Sequence, residues 1–63
     1  MNEFKDKTAV ITGAGSGIGR GLAEMASSKG MKVVLADINA EGLNETLELT
    51  RSNGVEVIAR ETD

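Results

Sequence analysis

Apolar residues fall along this chain in two rhythms. In Lys7-Thr8-Ala9-Val10-Ile11-Thr12 and Lys32-Val33-Val34-Leu35-Ala36 they run without interruption, as in strands covered on both faces of a parallel sheet. Elsewhere the spacing is helical: Ile18, Leu22, Met25 and Ala26 in one segment, and Leu43, Thr46, Leu47 and Thr50 in the other. A last run, Val55-Glu56-Val57-Ile58-Ala59-Arg60, alternates more, and its charged Glu56 and Arg60 suit a sheet edge. The pattern predicts strands over 7–12, 32–36 (closed by Asp37) and 55–60, with helices from Ser16 or Gly17 to Lys29 and from Ala40 to about Ser52.

Residue types at the boundaries agree. Gly30 and Gly54 stand where helix C-termini need a left-handed residue, and Asn39 is a favourable N-cap. Gly19, Ala23 and Ala26 are small enough to bring the first helix close to a sheet. Leu49 falls off its helix's apolar face, either as a surface residue or as a contact for something outside the chain. Residues 1–6 form a polar lead-in whose Phe4, the only aromatic residue, is expected against the bottom of the sheet.

The order strand, helix, strand, helix, strand, with short connections, predicts right-handed crossovers. The fold class is therefore α/β: half of a doubly wound Rossmann-type parallel sheet, strand order 3-2-1, with residues 1–63 as one incomplete domain. Successive crossovers in one direction put both helices on the same face. The other face is left without cover, and the first strand keeps an open edge. Self-association as a dimer or tetramer is the expected remedy.

Composition narrows the class. Sixty-three residues bury only about 60 % of the surface of the unfolded chain. With no Cys and no His, disulfides and the usual metal ligands cannot compensate, and no metal site is expected. The net charge of −3 carries no block of either sign, so neither nucleic acid nor an anionic membrane is an expected partner. The charged start, Met1 to Lys7, is unlike a signal peptide and no apolar run is long enough to span a bilayer. A cytoplasmic protein is the expectation.

The chemistry concentrates in Thr12-Gly13-Ala14-Gly15-Ser16-Gly17-Ile18-Gly19, between the first strand and the first helix. Amides at a helix N-terminus carry partial positive charge and bind anions, and glycines let a pyrophosphate approach them. Ser16 serves as an N-cap and is also placed to touch phosphate, whereas Arg20 in the first helical turn is expected to face solvent. The spacing G-x-G-x-x-G fails in every frame, because Ile18 or Arg20 stands where its last glycine belongs. A triphosphatase loop fails too, since Gly19 is followed by Arg20-Gly21 rather than by Lys and a hydroxyl residue.

What does fit is T-G-x-x-x-G-x-G at Thr12, Gly13, Gly17 and Gly19. In this the chain resembles the short-chain dehydrogenase/reductase family, in its classical branch, over nearly all of its length. The resemblance implies a cofactor cradle at Gly13, Gly15, Ser16, Gly17, Ile18 and Gly19. Asp37, 18 residues after Gly19, is then the acid that accepts hydrogen bonds from the adenosine ribose hydroxyls. A carboxylate there repels a 2′-phosphate and no basic residue follows, since Ile38 and Asn39 come next, so NAD is favoured over NADP. Asp63 occupies the position of an aspartate beside the adenine.

The resembled family transfers hydride with a Ser and a Tyr-x-x-x-Lys pair, and this chain contains no Tyr. No catalytic residue is therefore expected within it. The implied parent is an NAD-dependent oxidoreductase acting on an alcohol or carbonyl, of which these residues are the N-terminal part. Two alternatives stay open. Gly13-x-Gly15-x-Gly17 also satisfies the G-x-G-x-G of S-adenosylmethionine-dependent methyltransferases, although Ile11-Thr12 lacks the acid that usually precedes it. A non-catalytic nucleotide-binding or self-associating module is the other, and the uncovered sheet face argues against its completeness.

Overall fold

The structure is a computed structural model that describes residues 7–62; the expectations for Phe4 and Asp63 lie outside them. Three strands and two helices alternate: β1 (Thr8–Thr12), α1 (Gly17–Ser28), β2 (Lys32–Asp37), α2 (Ala40–Arg51) and β3 (Val57–Glu61). The sheet is parallel with β2 in the centre, which is the expected 3-2-1 order. Element limits agree within a residue except at β3, which starts two residues later than the alternation suggests. There Gly54 turns out of α2 with a φ of 80°, and the first ladder bond of the segment is accepted by the Glu56 carbonyl, from the Val33 amide at 3.0 Å.

Register sorts the side chains into rows. Ala9, Val33 and Val57 lie side by side, as do Ile11, Leu35 and Ala59, and all six pack into the core with the helices. Val33 and Leu35 are fully buried; burial of such a side chain stabilises the fold by about 1.5–3 kcal/mol. The intervening row, Val10, Val34 and Ile58, points away from them. Val10 is 69 % exposed and Ile58 43 %, so among the described residues no element covers the second sheet face, as expected.

The helical stripe of α1 divides differently from its sequence pattern. Gly19, Ala23, Ala26 and Ser27 are buried, whereas Ile18, Leu22 and Met25 are 83 %, 51 % and 56 % exposed. A Cβ on Gly19 would overlap the Gly13 carbonyl, so the helix approaches the loop and sheet too closely for large side chains on its inner face. Leu22 and Met25 instead flank the open edge of β1, where they line an apolar cavity of about 310 Å³ with Ala9, Ile11, Ala26, Lys29 and Met31.

Both helices are capped as their residue types require. Gly30, with φ 84°, donates its amide to the Ser27 carbonyl while Met31 donates to Ala26, the paired bonds of a Schellman motif. At the start of α2 the Asn39 side chain accepts the Gly42 amide at 3.2 Å. Asn53, past the end of α2, reaches the buried Ser27 hydroxyl at 2.7 Å and ties the two helix ends together.

Candidate functional site

The glycine loop is held by bonds on nearly every residue. Gly13 turns the chain at the end of β1 with φ 67°, where a side chain would be strained. Its carbonyl accepts the Ser16 amide at 3.1 Å and the Ser16 hydroxyl at 2.8 Å. Ser16 is the N-cap of α1: its Oγ accepts the Gly19 amide at 3.4 Å and its carbonyl the Arg20 amide at 2.8 Å. The Ala14 amide donates to Ala36 of β2 at 3.1 Å, and the Gly15 amide to Asp37 Oδ2 at 2.7 Å. The first two amides of α1, on Gly17 and Ile18, have no acceptor among the described residues, as helix geometry requires.

The glycines of this loop differ in what fixes them. Gly19 is fixed by the Gly13 and Ala14 backbone. Gly15 is fixed from outside the loop, since a Cβ there would stand 2.9 Å from Asp37 Oδ2 and 3.1 Å from the Gly42 carbonyl carbon. A Cβ on Gly17 meets no atom within 4 Å. The chain's own packing gives no reason for glycine at that position.

Asp37 ends β2 and joins the loop to the start of α2. Its Oδ1 accepts the Asn39 amide at 3.0 Å and its Oδ2 that of Gly15. The amides of Asn39, Gly15 and Ile38 together hold the carboxyl below its ordinary range, against a smaller opposing effect of burial. Two oxygens offer about four lone-pair positions, of which the Asn39 and Gly15 hydrogen bonds take two. The carboxylate borders a cavity of about 320 Å³ with Thr12, Gly13, Ala36, Ile38 and Thr62, at the low end of the roughly 300–1,000 Å³ of small-molecule pockets.

The structure therefore places Gly13, Asp37 and Ile38 on one cavity and bonds Gly15 to Asp37. Ser16, Gly17, Ile18 and Gly19 follow around the start of α1. Thr62 was not expected there. Its amide donates to the Asp37 carbonyl at 2.9 Å, which brings the end of β3 against the cavity; a parallel register would have pointed to it.

Arg20 corrects the sequence reading. Rather than facing solvent, it crosses to α2, where Nε donates to Thr46 Oγ1 at 3.0 Å and Nη2 to the Gly42 carbonyl at 3.3 Å and to Glu45 Oε1 at 3.0 Å. Because both helices lie on one sheet face, the first turn of α1 is within reach of α2. The Glu45 contact is largely exposed and is worth about 0–1 kcal/mol.

Among the described residues no group of acidic side chains is arranged to hold a metal ion, and no helix is long and apolar enough to cross a membrane. A family model described as short chain dehydrogenase matches residues 7–63. SadH of Mycobacterium tuberculosis is 49 % identical over 57 residues, which cover 90 % of this chain and 21 % of that protein. A crystal structure of a short chain dehydrogenase/reductase from Burkholderia phymatum in complex with NAD superposes with a TM-score of 0.90 at 54 % identity, covering 100 % of this chain and 22 % of the other. NAD+-bound xylitol dehydrogenase superposes with a TM-score of 0.94 at 33 % identity, covering 97 % and 24 %. The chain thus spans between a fifth and a quarter of the length of the proteins it matches.

Proposed function

The chain belongs to the short chain dehydrogenase family, and on that premise we propose that it is the N-terminal, dinucleotide-binding part of an NAD-dependent oxidoreductase acting on an alcohol or carbonyl. Family membership separates this reading from the S-adenosylmethionine alternative left open by Gly13-x-Gly15-x-Gly17. The observation that carries it is the Asp37 carboxylate, held in its charged form by backbone amides at the end of β2 and lining a cavity beside the glycine loop.

The residues fit a dinucleotide. Asp37 would accept hydrogen bonds from both ribose hydroxyls, and Thr12, Ala36, Ile38 and Thr62 would wall the adenosine. The amides of Gly17 and Ile18 donate to the pyrophosphate, and Gly17 leaves open the space that a Cβ would fill. Gly13, Ser16 and Gly19 set the shape of the turn, and Gly15 anchors Asp37. The bound cofactor supplies the hydride acceptor or donor. The 63 residues provide no Tyr, His or Cys for proton transfer, so they bind and orient without catalysing. Calorimetry of the chain with NAD tests the reading: weak, saturable binding without alcohol turnover is expected, and turnover by the chain alone refutes it.

In isolation the chain self-associates as a dimer or tetramer through the bare row of Val10, Val34 and Ile58. Exposed apolar surface of this kind on a three-stranded sheet is the support for that reading.

A further inference from the structure

The hydroxyl of Thr46, fully buried, lies between α2 and the glycine loop. Its Oγ1 is 2.7 Å from the Ala14 carbonyl oxygen and 3.1 Å from that of Gly42, one turn earlier in its own helix. A hydroxyl has one proton to give. In a helix, threonine commonly gives it to the carbonyl four residues back, which here is Gly42. Arg20 alters that competition twice over: Nη2 donates to the Gly42 oxygen, and Nε donates to Thr46 Oγ1. With one acceptor served by a charged donor and the hydroxyl itself accepting, the proton is directed to Ala14, the nearer oxygen.

Ala14 is where the loop needs holding. It is fully buried between Gly13 and Gly15, neither of which has a side chain to pack. Its amide is fixed by Ala36 and its carbonyl by Thr46. Beyond it comes the Gly15 amide that Asp37 accepts, and then the free amides of Gly17 and Ile18.

We propose that Thr46, oriented by Arg20, is a positioning residue for nucleotide binding: it locks the Ala14 carbonyl and thereby sets the loop shape in which Asp37 and the α1 amides meet one ligand. This rests on the dinucleotide reading above. Thr46→Val keeps the shape and loses the hydroxyl, whereas Thr46→Ser keeps the hydroxyl. The test is residue-by-residue amide hydrogen exchange on the 63-residue chain, followed by titration with NAD. Leaving the buried Ala14 carbonyl without its partner corresponds to about a tenfold effect. Thr46→Val should therefore speed exchange of the Gly15 amide about tenfold relative to the Gly30 amide, bonded at the far end of α1, and weaken NAD binding by a similar factor. Thr46→Ser should restore both, and Arg20→Met should move Gly15 in the same direction as Thr46→Val. Equal acceleration at Gly15 and Gly30, or none at either, overturns the lock. If Thr46→Val does not fold, Arg20→Met decides on the same two amides. A wild-type chain to which NAD does not bind refutes the dinucleotide reading, whereas a wild-type chain that binds NAD no better than Thr46→Val refutes the positioning role alone.

Discussion

The Gly15 amide donates to Asp37 Oδ2 at 2.7 Å, so the last residue of β2 is bonded to the middle of the loop that follows β1. The carboxylate thus has two tasks. It holds the loop through Oδ2 and the start of α2 through Oδ1, and it borders the cavity.

Cofactor choice in the full-length enzyme follows from the second task. A 2′-phosphate in place of the ribose hydroxyl removes a charge-assisted hydrogen bond and brings two negative groups together, so NAD should be preferred over NADP by about tenfold or more. Steady-state kinetics with both cofactors measures this. Asp37→Asn should narrow the gap, chiefly by losing NAD, and equal specificity constants in the wild type would refute the assignment.

The first task predicts a pH dependence. Asp37 has a lowered carboxyl pKa in the folded chain because the Asn39 and Gly15 amides stabilise its charged form. The unfolded state therefore takes up protons first as pH falls, and the contribution of this group is complete above the unfolded pKa, near 3.8. It declines below that value and is lost through the lower, folded one. Thermal melts between neutral pH and pH 3 should show a decline at the acid end that is smaller in Asp37→Asn; an unchanged acid profile in that variant would remove the charge from the account of loop stability.

Gly19 and Gly17 should respond in opposite ways to alanine. At Gly19 the new methyl overlaps the Gly13 carbonyl, and strain of this kind costs about 1–3 kcal/mol. At Gly17 it points into open space in a helical residue, where alanine favours the helix by up to about 1 kcal/mol. Denaturation should show Gly19→Ala destabilised and Gly17→Ala not, while NAD titration should show Gly17→Ala impaired. A Gly17→Ala chain with undiminished NAD binding would mean that the ligand does not approach this backbone.

Much of this architecture was legible in the sequence. The uninterrupted apolar runs gave β1 and β2, and Asn39, Gly30 and Gly54 marked helix ends because each supplies a local bond or backbone angle. Contacts between elements were less legible. The small residues Gly19, Ala23 and Ala26 marked the inward face of α1, but the apolar periodicity placed Ile18, Leu22 and Met25 there as well, and the close approach of Gly19 to Gly13 decides between the two sets. Likewise Arg20 reads as a solvent residue until α2 is placed beside it, and the Asp37 bond to Gly15 spans 22 residues. The site was found through its residue types, whereas the bonds that hold it required the fold.

Two open apolar surfaces among the described residues permit a test of how the chain self-associates. One is the bare row of Val10, Val34 and Ile58; the other is the cavity beside β1 bordered by Leu22 and Met25. They lie on opposite faces of the sheet, so one charge can spoil one without touching the other. If copies stack face to face, Val10→Asp should yield monomers, because a carboxylate buried at an interface without a partner costs several kcal/mol. Val10 is mostly exposed in the single chain, so the substitution should leave the fold intact. Leu22→Asp should then leave the assembly unchanged. Should copies instead pair along the β1 edges, Leu22→Asp would be the disruptive change, since Leu22 flanks that edge. Light scattering at micromolar concentration distinguishes the two outcomes, and a wild-type chain that is monomeric and cooperatively folded at every concentration would show that neither surface drives association.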